Sequence, residues 1–259
     1  MRYVITDYDD AERARLSDLA KHVDPYTFYH LDRIGIAPDW ICLEVGAGLG
    51  TVSLWLADRL TAGGEVVCTD LQTTFIDEID HPRIRAEKLD ILDEPAYENR
   101  FDLVVQRAIH HHVPDREAAC RHLVKMVKPG GHILSIEPDI HPAFSDEHPV
   151  WRRTWEAVTQ WGERKDIDYF TGRRLPGQLA DMGLEVLSVH GETALLRGGA
   201  APSPAVDLYR ATLEIVVPEA MRKGFLSKAD GEEVMDLLDR PDIWLMAFCF
   251  FATHARKPE

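Results

Sequence analysis

No apolar run in this chain approaches the roughly 20 residues needed to cross a bilayer, so nothing in it reads as a membrane span. Positive charge is in short supply: 29 Lys and Arg stand against 44 Asp and Glu, a formal net charge of −15. A nucleic-acid surface needs clustered cations to displace counterions, so an RNA or DNA substrate is disfavoured. Cysteine is sparse as well. Cys42, Cys68, Cys120 and Cys249 are widely spaced and form no metal-type pair, which suits small buried thiols in a reducing compartment. Residues 1–10 lack the apolar segment of a secretory signal. There are no repeats and no low-complexity tracts, and the expectation is a cytoplasmic α/β protein. At 259 residues it can bury roughly 70–75% of its unfolded surface, enough for a core without staples.

The most informative stretch runs from Ile41 to Thr51. A short apolar run (Ile41, Leu43, Val45) reads as a buried parallel strand and ends in Gly46, Gly48 and Gly50. A helical pattern starts at once with Thr51. Strand, glycine turn and helix start let backbone come close to a polar ligand. Dinucleotide folds space their glycines as G-x-G-x-x-G, whereas here they run G-x-G-x-G with Glu44 two residues ahead. A dehydrogenase is thereby disfavoured.

Short apolar strands alternate with helical patterns beyond this point. Strands are predicted at 65–70, 83–89, 101–106 and 132–137, with a helix at 115–127 stopped by Pro129-Gly130-Gly131. This order makes a parallel sheet with right-handed crossovers. Upstream, Asp9 or Asp10 caps one predicted helix, and Asp24-Pro25 reads as N-cap and first residue of a second, closed near Gly35. Downstream, the pattern predicts a helix from Pro149 bearing Trp151 and Trp155, a helix at 173–183 and a strand at 185–193. Residues 198–204 read as a linker. Helices at 205–224, interrupted near Pro218, and at 227–239 follow, then an apolar strand from Ile243.

The glycine loop, Asp70 at the end of the second strand, Leu89-Asp90-Ile91 after the third, the 101–107 segment and the 127–137 turn and strand occur in one order. In that order and spacing the chain resembles the class I S-adenosylmethionine-dependent methyltransferases, closest to the ubiquinone-biosynthesis-like branch and small-molecule methyltransferases of actinobacterial type. The resemblance covers residues 40–140 well and the rest loosely. It implies a Rossmann-like, doubly wound seven-stranded sheet whose last strand is antiparallel and inserted. The implied layout is an N-terminal helical lid (1–36), a cofactor-binding core (37–140), a helical cap (141–172), a core continuation (173–193), a second cap segment (194–240) and a final core strand (241–259).

The cofactor implied is S-adenosyl-L-methionine, held by Glu44, Gly46, Gly48, Gly50, Asp70, Leu71, Asp90, Ile91, Gln106 and Tyr26. Asp70 would accept the ribose hydroxyls and Asp90 the adenine amine, while the Glu44 carboxylate suits the ammonium of the methionine end. Tyr26 or Tyr29 would close over that end. His110-His111-His112 follow the fourth strand at the sheet's ligand edge. His112 reads as structural, and His110 or His111 as a general base for a hydroxyl acceptor. Arg107 and Glu137 complete the catalytic set. Neighbouring histidines do not point at one centre, so no metal site is expected. The expected activity is methyl transfer to a small organic acceptor, oxygen before nitrogen or carbon, in natural-product metabolism, by a monomer or homodimer. The alternatives are a C-methyltransferase, a methyltransferase-fold cyclase that transfers no methyl, and a non-catalytic cofactor-binding module.

Overall fold

The computed structural model describes residues 10–61, 63–199 and 203–259. Seven strands, β1 (Ile41–Val45), β2 (Glu65–Asp70), β3 (Ile84–Lys88), β4 (Phe101–Arg107), β5 (Val127–Asp139), β6 (Glu185–Arg197) and β7 (Trp244–Arg256), form one sheet. Their order is β3-β2-β1-β4-β5-β7-β6. The first five are parallel, and β7 runs antiparallel to both β5 and β6. The strand order reverses between β1 and β4, so their carboxyl ends open the crevice in which such sheets bind ligands.

Helices cover both faces: α1 (Asp10–Ile34), α2 (Thr51–Ala57), α3 (Arg116–Met126), α4 (His141–Phe144), α5 (Pro149–Glu163), α6 (Thr171–Asp181), α7 (Pro204–Arg222) and α8 (Lys228–Leu237). Side chains alternate across each strand. Cys42, Val66, Leu103, Val105 and Leu134 pack towards α1 and α2, while Leu43, Val67, Val104 and Ile133 pack towards α3 and α6. Burial on both faces explains why these strands read as continuous apolar runs. A separate core joins α5, α7 and α8 to the start of β7, with Trp151, Trp155, Leu213, Val217, Val234 and Leu245 at its centre.

The structure corrects the expected boundaries in several places. The two N-terminal helices are one, because Pro25 sits inside α1. Val23, Thr27 and Leu31 are buried around it, and this packing outweighs one missing N–H bond. Pro218 likewise lies within an uninterrupted α7. Strand β6 runs to Arg197, paired with Trp244 of β7, so residues 194–197 belong to the sheet rather than to a cap. Asp9 and part of the expected linker lie outside the described residues. All four cysteines are free and buried.

Candidate active site

Gly46, Gly48 and Gly50 all take left-handed φ values, 68°, 58° and 70°. A Cβ on Gly46 would stand 2.1 Å from Ile109 Cδ1. The loop is tied to β2: the Ala47 N–H donates to the Thr69 carbonyl at 2.8 Å. Asp70 accepts from Gly48 N at 2.9 Å and from Gln72 N at 3.2 Å. Burial raises the Asp70 carboxyl above its ordinary pKa. Gly46, Gly48, Asp70, Leu71 and Ile91 border one cavity of about 190 Å³. An acceptor pair at Asp70 beside the apolar Leu71 and Ile91 fits a ribose and an adenine ring, and the side-chain-free loop fits close backbone approach.

Five other residues expected at the cofactor, Glu44, Gly50, Gln106, Asp90 and Tyr26, are not among those that line this cavity. Glu44 is buried behind the loop, where it accepts from Ser53 N at 2.8 Å and Ser53 Oγ at 2.5 Å. It holds α2 against β1, and burial pushes its pKa up to about 7. Gly50 is the N-cap of α2. Gln106 is buried beneath the loop, donating to Ser135 Oγ at 2.8 Å. Asp90 accepts from Leu92 N at 3.0 Å, and its neighbours Leu89 and Ile91 take the cavity wall. The Tyr26 hydroxyl donates to the His190 carbonyl at 2.7 Å, facing a separate shallow groove beside Glu192 and Phe250.

At the reacting end, β4 leads into a tight 3₁₀ turn, His110–His112. Glu137, fully buried on β5, accepts from the backbone N–H groups of Ile109 and His110 at 2.9 Å and of His111 at 3.2 Å. His111 Nδ1 lies 3.1 Å from the same carboxyl. Glu137 therefore holds the turn and does not itself face the cavity. His110 points inward, its ring nitrogens 3.4 Å from Gln106 Nε2 and 3.4 Å from Cys120 Sγ. His111 and His112 border the cavity. Burial lowers His110 to about 4 and His111 to about 3, so both imidazoles are neutral at physiological pH. Arg107 also borders the cavity and pairs with Asp24 of α1, and Asp24 accepts from Thr51 Oγ1 at 3.3 Å. This ties the lid helix to the glycine loop.

Sequence reasoning missed several wall residues. Glu12 and Arg15 on α1 form a buried bidentate pair, both bonds 2.7 Å, at the cavity edge. Beyond the histidines the cavity continues between α5, α7 and β7, walled by Trp155, Trp161, Tyr169, Tyr209, Val216 and Phe248. Trp161 lies about 80° round the helix from Trp151 at 100° per residue, on a different face from the Trp151 and Trp155 pair. Tyr209 and Phe248 come from elements distant in sequence, and no local spacing signals their meeting. Trp151 packs in the cap core and donates to the Met246 carbonyl at 2.9 Å. The nearby arginines are committed to partners: Arg173 to Asp139, Arg174 to Asp168 and Arg153 to Asp230.

Residues 43–133 match the family model of a methyltransferase domain. Residues 43–133 are thus a methyltransferase domain, and the sheet order and glycine loop around it suit S-adenosylmethionine as the cofactor. The chain is 25% identical over 185 residues to methyltransferase str2 of Strobilurus tenacellus, covering 70% of this chain and 66% of that protein. Other curated relatives include far longer fungal polyketide synthases, of which the chain spans 2% in one case and 5% in another. Among solved structures, a geranyl diphosphate methyltransferase superposes with a TM-score of 0.56 at 15% identity, over 98% of this chain and 93% of that one. The [4+2]-cyclase SpnF superposes with a TM-score of 0.53 at 16% identity, over 86% and 76%. Among the described residues, no helix is long and apolar enough to cross a membrane.

Proposed function

We propose that this chain transfers the methyl group of S-adenosylmethionine to a hydroxyl of a small organic molecule, with His111 as general base. One observation carries the reading: of the two candidate histidines, only His111 combines a place on the cavity wall with a carboxylate on its far nitrogen. With Glu137 accepting at Nδ1, the proton sits there and Nε2 keeps its lone pair. When bound, S-adenosylmethionine supplies a methyl group already activated by its positively charged sulfur. The protein's work is alignment and proton removal. Asp70, Leu71 and the glycine loop hold the nucleoside end. Arg107 borders the same cavity and is steered by Asp24, so it is assigned to cofactor or acceptor placement. His111 would take the proton of the acceptor hydroxyl, whose oxygen gains the methyl group as the methyl's bond to sulfur breaks and the neutral thioether leaves, and Glu137 would stabilise the resulting imidazolium. Helices α1 and α7 cover the site and keep water out. The relatives among polyketide-making proteins support a role in natural-product tailoring.

Calorimetry with S-adenosylmethionine and a turnover assay over a panel of phenols test this together. Asp70→Ala is expected to abolish cofactor binding. His111→Ala is expected to leave binding intact and lower kcat by about 100-fold or more, and wild-type turnover in that variant would overturn the base assignment. Product structure separates the rivals. C-methylation places the new methyl on carbon, and a cyclase converts substrate without forming S-adenosylhomocysteine.

A further inference from the structure

Charge is unevenly spread along the cavity. Among the described residues, its charged side chains are Glu12, Arg15, Asp70 and Arg107. Asp70 ends β2 and accepts from the glycine loop. Glu12 acts electrostatically on Asp70, and Arg15 on His111 and His112. Arg107 pairs with Asp24, which also holds Thr51 at the start of α2. All four therefore stand at the cofactor end or at its junction with the histidine turn.

Beyond that junction, in the chamber between α5, α7 and β7, the wall changes. Ile167, Leu208, Ile215, Val216, Phe248 and Phe250 present hydrocarbon, and among the described residues no Asp, Glu, Lys or Arg borders this part. The ring nitrogens of Trp155 and Trp161 are shut off from solvent, so both indoles meet the cavity through carbon. Two wall hydroxyls are already engaged within the chain. Thr212 Oγ1 donates to the Leu208 carbonyl at 2.8 Å, and the Tyr209 hydroxyl accepts from Phe248 N at 2.5 Å. A charged group placed here would lose its hydration with no counter-ion to replace it. A methylene group gains by leaving water.

From this division we infer that the acceptor is amphipathic: its hydroxyl meets His111 at the junction, and the body behind it is an uncharged hydrocarbon that fills the chamber. The chemical class is a lipophilic phenol or alcohol, as opposed to a sugar, an amino acid or an organic acid. The inference rests on the reading of this cavity as a methyl-transfer site. Its test reads binding alone, so it can fail or stand independently of methyl transfer.

Four phenols vary only the group opposite the hydroxyl: 4-methylphenol, 4-propylphenol, tyrosol and tyramine. The last three are close in shape, their side chains ending in methyl, hydroxyl and ammonium. Dissociation constants are measured by calorimetry on the whole protein, with S-adenosylhomocysteine at saturation to fill the cofactor end. 4-Propylphenol is expected to bind about tenfold tighter than 4-methylphenol, the worth of two more buried methylene groups. Tyrosol is expected to fall about tenfold below 4-propylphenol, and tyramine further still. Thr212→Asp and Ile215→Asp each set a carboxylate on the α7 wall, at positions that are only partly buried. Either is expected to raise tyramine relative to 4-propylphenol by about tenfold, with circular dichroism reporting that the variant is folded. The ratio within each protein is read, so a general loss of affinity in a variant does not obscure the result, and the wild-type series decides alone if neither variant folds. Tyramine bound as tightly as 4-propylphenol by the wild type would overturn the inference. So would equal binding of 4-methylphenol and 4-propylphenol, or an unchanged ratio in both folded variants. The expected order of binding with no S-adenosylhomocysteine formed from S-adenosylmethionine on turnover would uphold the chamber's chemistry while removing the methyl-transfer reading.

Discussion

Glu44 and Glu137 are both carboxyls at carboxyl-terminal halves of central strands, both buried, and both bound to the backbone of the segment that follows a strand. Glu44 fixes the start of α2, and Glu137 fixes the histidine turn. Four donors converge on Glu137, and an amide can accept at one oxygen only. Glu137→Gln is therefore expected to leave at least one buried N–H unsatisfied and to lower unfolding stability by about 2 kcal/mol or more. A urea titration checks this through a lower midpoint at unchanged slope. The same variant is expected to lower kcat with little change in cofactor affinity, because the carboxyl reaches the cavity only through His111.

Among the elements, the glycine loop is sensitive to a single methyl group. Gly46→Ala and Gly48→Ala both place a side chain at a left-handed φ, a strain of about 1 kcal/mol. Only Gly46→Ala also drives a Cβ into Ile109, since the nearest contact at Gly48 is an ordinary 3.5 Å to Leu16. Gly46→Ala is expected to lower the melting temperature more than Gly48→Ala and to displace the histidine turn, which thermal melts and turnover of the two variants would show. This loop and the strands β1, β2, β4 and β5 were legible in the sequence because burial on both faces leaves long apolar runs and because positive φ demands glycine. Strand β7 was legible for the same reason. The unbroken α1 and α7 were not, since Pro25 and Pro218 carry a local stop signal that only tertiary packing overrides. The acceptor chamber was the least legible part. Trp161, Tyr209 and Phe248 come from three elements, and their meeting depends on how the cap folds over the sheet.

At the scale of the whole molecule, acid sensitivity follows from the number of buried imidazoles. Burial lowers seven histidines below their ordinary pKa, among them His30 and His254 to about 4. Among the described residues it raises three carboxyls, Glu44, Asp70 and Glu137. A lowered histidine stays neutral in the fold while the unfolded chain takes up a proton below about pH 6.5, so stability drops as pH falls towards 4. A raised carboxyl acts in the opposite sense, costing stability as pH climbs from about 4.5 towards its folded value. Seven outnumber three, so the melting temperature is expected to fall from pH 7 to pH 5, as scanning calorimetry at each pH would show. Strand β7 carries a different consequence. Because it sits between β5 and β6 and pairs with both, the sheet cannot close until the chain has been made almost to residue 256. During synthesis β5 and β6 wait with open hydrogen-bonding edges, β6 with Leu187, Val189 and Leu195 exposed even in the finished fold. Crowded nascent chains can pair at those edges instead, which makes the insertion of β7 the step at which production yield and aggregation compete.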